Sequence, residues 1–195
     1  GKSMVSSSIS VWETLLKERP DLAEVAQQNF YFSRNQEEAP DEDPWYAQPL
    51  FDFADGRLFG KWNRNRVRTG QSIISVPKLT PAQKECADFL DEVLSRSDIM
   101  FTMWLEPGDL QFINNHVLLH SRTAFEDFAK PEKKRLLFRL WIAPPDSVWL
   151  PKSWGTYFRS IIPGTVRGGI RGHNYNGACK TFERHQAKIM NMPKP

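Results

Sequence analysis

Cysteine is nearly absent: Cys86 and Cys179 are the only two, and they stand far apart. Their scarcity excludes a disulfide framework and a zinc knuckle. Reduced thiols, buried or incidental, are expected, as in a cytoplasmic protein. No apolar run approaches the ~20 residues that a membrane-spanning helix needs. The opening residues, Gly1 to Ser8, lack the long apolar segment of a signal peptide. A strong charge of one sign is missing too, since 26 basic and 23 acidic residues leave a net charge of +3. The run Lys61-Trp62-Asn63-Arg64-Asn65-Arg66-Val67-Arg68 does gather cations beside an aromatic. Such a run can touch phosphate or a carboxylate. One solvated strand face is its more ordinary meaning, and no nucleic-acid partner is expected. Internal repeats and low-complexity segments are absent.

What is present suits one globular domain over residues 1–195, with 40% hydrophobic and 25% charged residues. Thirteen Phe and seven Trp point to an aromatic core or to sheets packed through aromatic side chains. Ser8 can cap a helix from Ile9 to Glu18, and Pro20 suits the first turn of another through Ala26. Thr80-Pro81-Ala82-Gln83 reads as a capping box opening a helix that runs to about Leu94. Phe30 to Phe32 reads as a short strand. Ala54-Asp55-Gly56 is a hairpin turn between Leu50–Phe53 and Arg57–Trp62. From Ile99 the alternation is that of strands, with further strand candidates at Leu110–Asn114, Val117–His120 and Arg135–Ala143. Beyond Pro144 order weakens, and residues 168–195 read as a flexible tail.

The chemistry gathers in Asn114-Asn115-His116-Val117-Leu118-Leu119-His120, followed fifteen residues later by Arg135-Leu136-Leu137-Phe138-Arg139. A lone His after an apolar strand is usually a hydrogen-bonded core residue, yet neutral imidazole is also the commonest metal donor. His116 and His120 would share one face of a helix, but the Pro107-Gly108-Asp109 turn and the β-type run argue against a helix. No Glu follows His116, so a zinc protease is improbable. Arg135 and Arg139 share a face of a strand. They need anionic partners, either Asp and Glu within the protein or the carboxylates of small molecules.

These residues resemble the C-terminal part of the taurine dioxygenase (TauD/TfdA) family of Fe(II)- and 2-oxoglutarate-dependent oxygenases. The Pro-Gly-Asp turn, the Asn-Asn-His-x-x-x-His run and the Arg-x-x-x-Arg pair match in order and approximate spacing. The opening Gly1-Lys2-Ser3-Met4 is similar to the family's Gly-Gly-x-Thr/Ser segment, with Ser3 at the hydroxyl position. The resemblance implies that His120 is an iron ligand. It further implies that Arg135, helped by Ser3, binds the distal carboxylate of 2-oxoglutarate. Arg139 would hold an acidic group of the substrate or support the cosubstrate. The implied fold is mostly β with flanking helices: a double-stranded β-helix, or jelly roll, incomplete at its N-terminal end.

The family's other two ligands come as His-x-Asp or His-x-Glu. None of the four His here is followed two residues later by Asp or Glu. The chain is therefore expected to be part of a longer dioxygenase acting on a small, acidic substrate and inactive alone. The competing expectations are a catalytically silent binding module of the same fold, and an anion-binding β-sandwich unrelated to oxygenases. Unpaired sheet edges predict homo-oligomerisation or strand exchange. Arg167 and Arg171 are candidates to close over an anionic substrate, unless the glycines beside them mark a surface tail.

Overall fold

The computed structural model describes residues 1–167 and 169–193. Its helices begin where side chains can satisfy the free N–H groups of a first turn. Ser7 caps α1 (Ser8–Glu18), its hydroxyl accepting from the Ser10 N–H, and Val11, Trp12 and Leu15 face the core. The cap thus falls one residue before the expected Ser8, which is buried instead. Pro20 opens α2 (Pro20–Ala26). Thr80 and Gln83 form the reciprocal capping box of α4 (Pro81–Ser95). Thr80→Ala is expected to cost about 1 kcal/mol of stability, read as a lower urea midpoint with an unchanged slope.

Between α2 and α4 lie two small antiparallel units. The first pairs β2 (Asn29–Ser33) with β3 (Trp45–Pro49). The second is the expected hairpin of β4 (Phe51–Ala54) and β5 (Arg57–Gly60). Its turn residues Asp55 and Gly56 both have positive φ, 49° and 69°, as the tight hairpin turn requires. Phe30, Phe32, Phe51 and Phe59 are almost wholly enclosed, and with Leu22, Leu50 and Leu90 they form the aromatic core that composition suggested.

The third sheet positions the site. Its order is β6 (Met100–Met103), β1 (Ser3–Ser7), β7 (Leu118–Arg122), all antiparallel. The chain is thus α+β, with small antiparallel sheets and no closed jelly roll among the described residues.

Several expectations need correction. Residues 63–70 are not a strand face: Asn63 accepts from the Arg66 N–H and caps α3 (Arg64–Gly70). That helix packs so closely on β2 that a Cβ on Gly70 would stand 2.6 Å from the Tyr31 carbonyl oxygen. Leu110–Asn114 and Arg135–Ala143 form no strands. Their alternation suits strands, but a strand persists only when its N–H and C=O groups find a partner. No partner lies among the described residues, so Leu136, Phe138 and Leu140 stand 73%, 89% and 84% exposed. The stretch read as a tail holds α6 (Gly177–Ile189), capped by Asn176 and tied back through an Arg159–Glu183 ion pair at 2.9 Å. Gly168, Lys194 and Pro195 of that stretch lie outside the described residues. No described helix is long and apolar enough to cross a membrane.

Candidate functional site

The β1–β7 register brings distant residues onto one face. Val5 stands opposite His120 and Ser3 opposite Arg122. Directly opposed residues of an antiparallel pair share a face, so His120 and Ser3 are diagonal neighbours, roughly 7–8 Å apart in such a ladder. The Ser3 hydroxyl, nearly buried, donates to Gln111 Oε1 at 3.1 Å. Beyond the strand end the Lys2 N–H donates to Thr123 Oγ1 at 2.9 Å, extending the register.

Arg135 reaches the same end of the sheet. Its Nη1 donates to the Gly1 carbonyl at 2.6 Å, two residues from Ser3. Arg139 lies near enough to His120 that its charge, after desolvation, helps push the imidazole pKa below its usual value. His120 is therefore neutral at neutral pH, the form that ligates a metal. Neither arginine is in an ion pair among the described residues. The carboxylate partners allowed for them by residue type are not there.

An iron site of this family needs three protein donors, and the residues present do not complete one. No group of three His, Cys, Asp or Glu that could hold a metal ion occurs among the described residues. His120 offers one imidazole. His116 turns away from it into the aromatic core, its ring 5.5 Å from those of Phe59 and Trp154 and 5.9 Å from Phe158.

Several other candidate cations are already occupied. Arg64 pairs with Asp88 and Asp91, and Arg66 with Glu37. Two of the four cations of the basic run are thus paired within the protein, while Lys61 and Arg68 form no ion pair among the described residues. Arg171 bonds Asp41 and Glu42 at 3.1 and 2.9 Å, so it is not free to close over a substrate. Both cysteines are free thiols, and burial pushes the Cys86 thiol up to about 12.

Sequence reasoning missed Gln111, the partner of Ser3, and the Gly1 carbonyl that receives Arg135. The first carried only the signal of a polar residue inside an apolar run. A backbone carbonyl carries none.

The chain belongs to the taurine catabolism dioxygenase TauD, TfdA family, which matches residues 1–141. Among its relatives is FR-33289 synthase of Streptomyces rubellomurinus (strain ATCC 31215), 30% identical over 160 residues, covering 80% of this chain and 47% of the relative. Taurine hydroxylase-like protein SAT17 of Stachybotrys chartarum (strain CBS 109288 / IBT 7711) is 25% identical over 155 residues, covering 76% of this chain and 38% of the relative. The chain spans less than half the length of these relatives.

Proposed function

We propose that these residues form the cosubstrate-binding half of an Fe(II)- and 2-oxoglutarate-dependent dioxygenase. The whole protein would oxidise a small, acidic substrate, with release of succinate and carbon dioxide. One observation carries the reading: β1 sets Ser3 beside His120 while Arg135 grips the carbonyl two residues from Ser3. In this reading His120 gives the iron one ligand. Arg135 and Ser3 take the distal carboxylate of 2-oxoglutarate, a task suited to a guanidinium fork. Arg139 holds an acidic group of the substrate or supports the cosubstrate. Bound iron and oxo acid supply the oxygen chemistry. The two further ligands, and the remaining strands of a jelly roll, come from a segment beyond these residues.

The test is succinate formation by the full-length protein with Fe(II) and 2-oxoglutarate. His120→Ala is expected to lower turnover at least about 100-fold, beyond what loss of a group hydrogen-bonded to a ligand causes. Unchanged turnover in the variant sinks the assignment.

A second reading is a catalytically silent binding module of the same fold, favoured by the lack of a three-donor group among the described residues. Titrating this chain with Mn(II) and 2-oxoglutarate separates the two, because metal-dependent cosubstrate uptake counts against silence. The exposed run from Leu136 to Ile142 supports self-association or strand exchange. Sedimentation is expected to show a concentration-dependent oligomer, and a monomer at every concentration would refute it.

A further inference from the structure

We infer that Trp154, His116 and Arg167 form a second site, binding the oxyanion group of a small molecule apart from Arg135 and Arg139. Trp154 is 1% exposed, stacked on Phe158 at 5.5 Å and 10°, and its indole N–H has no hydrogen-bond acceptor among the described residues. His116 meets the same two rings, and its Nδ1 is buried without a partner among the described residues. Arg167 completes the set. Its Nη2 is fully engaged, donating to Ser147 Oγ, Val148 O and Ile162 O at 2.9, 2.8 and 3.0 Å. Its Nε and Nη1 are buried and donate to nothing among the described residues.

Orphaned buried donors are rare, because each forfeits its bonds to water at a cost of about 1–3 kcal/mol. Here four nitrogens on three side chains are orphaned, and Arg167 is tied to the stretch that bears Trp154. It bonds Val148 O and Ile162 O, the Leu150 N–H donates to Ile161 O at 3.0 Å, and Ile161 packs 3.6 Å from the Cβ position of Gly155. All but the imidazole nitrogen are obligate donors, and that nitrogen donates in one tautomer or when protonated. No carboxylate pairs with Arg167 among the described residues. Its charge is felt instead at His116, where Lys61 adds a further positive influence. Burial alone depresses the Arg167 pKa. A donor-rich, cation-bearing cluster with no carboxylate partner among the described residues is complementary to a carboxylate, sulfonate or phosphate-type oxyanion. Arg167 is thus the one of the two C-terminal arginine candidates whose fork is left open, since Arg171 is spent on Asp41 and Glu42. The site stands whether or not the dioxygenase reading holds.

The test follows indole N–H resonances by nitrogen-15 NMR while inorganic phosphate, sulfate or acetate is added to the protein. One indole signal of the seven expected from the Trp count should move saturably. It should be missing in Trp154→Phe, which keeps the ring stacking and removes the donor. Arg167→Met should weaken the titration at least about 10-fold, the loss of one charge-assisted hydrogen bond, whereas Arg135→Ala should leave it intact. Movement with acetate alone assigns a planar carboxylate, and movement with phosphate or sulfate a tetrahedral group. Three results overturn the inference: no indole signal moves; the moving signal survives in Trp154→Phe; or a folded Arg167→Met titrates like the parent. The far-ultraviolet circular dichroism of both variants identifies a folding failure, and one folded variant is enough to decide.

Discussion

Replacing Arg135 by Ala in the full-length protein is expected to raise the 2-oxoglutarate concentration for half-maximal succinate formation at least about 30-fold. Truncating one partner of an enclosed, hydrogen-bonded charge pair costs about 2–5 kcal/mol, and 1.4 kcal/mol is a factor of ten. In the present chain the expectation is different. Arg135 is exposed and its one hydrogen bond runs to the Gly1 carbonyl. An ion pair in water is worth about 0–1 kcal/mol, so Arg135→Ala should change weak cosubstrate binding by less than about fivefold. Under the proposed function, the contrast would measure how far the rest of the protein encloses Arg135. Arg135→Lys should recover little of the loss, since an ammonium cannot reproduce the two parallel hydrogen bonds of a guanidinium. A full-length Arg135→Ala enzyme with an unaltered cosubstrate requirement would remove Arg135 from the site.

Acid is expected to weaken the fold through His116. Burial first, then the charges of Arg167 and Lys61, hold its pKa down to about 4, against 6.5 for the free side chain. Between these values the unfolded chain binds the proton and the folded chain does not, so stability rises with pH across the window. The contribution is fully present above about pH 6.5, declines as pH falls, and is lost below about pH 4. Its full size is about 3 kcal/mol. His120, shifted in the same direction, adds to the slope. Urea unfolding at pH 7, 5.5 and 4 measures the whole effect, and His116→Phe isolates one part. The variant should lose about 3 kcal/mol less than the parent between pH 7 and pH 4. Parallel profiles for the two proteins would show that His116 is not the group responsible.

Local signals are legible where local physics decides. Thr80 with Gln83, Pro20 and Asp55-Gly56 place α4, α2 and the β4–β5 turn, because caps and turns are settled within a few residues. Asn63 is a cap hidden by the cations after it, whose charge is the louder signal. Strand propensity at 110–114 and 135–143 is real as pattern and absent as structure, since pairing depends on a partner elsewhere. The same division runs through the site. Ser3, His120, Arg135 and Arg139 stand out by resemblance to a family, and no spacing reveals that Val5 pairs with His120. Nothing local tells that Arg171 pairs with Asp41 and Glu42, which lie about 130 residues earlier. Arg167 is marked by its charge beside glycines, but Trp154 sits in a Pro-rich stretch without periodicity, where neither helix nor strand pattern ranks one side chain above another.

The central place of β1 in its sheet has a kinetic meaning. Both neighbours, β6 and β7, arrive about a hundred residues after it. At roughly 5–20 residues per second of synthesis, Ser3 waits on the order of ten seconds for Arg122 to exist. Until Met100 is made the first strand has neither of these ladders, while the nearby helices and hairpins can already close. The ladder that carries His120 therefore cannot close until residue 122 is made, and a ribosome-bound chain stopped before it lacks that ladder together with the part of the aromatic core supplied by Leu150, Trp154, Tyr157 and Phe158.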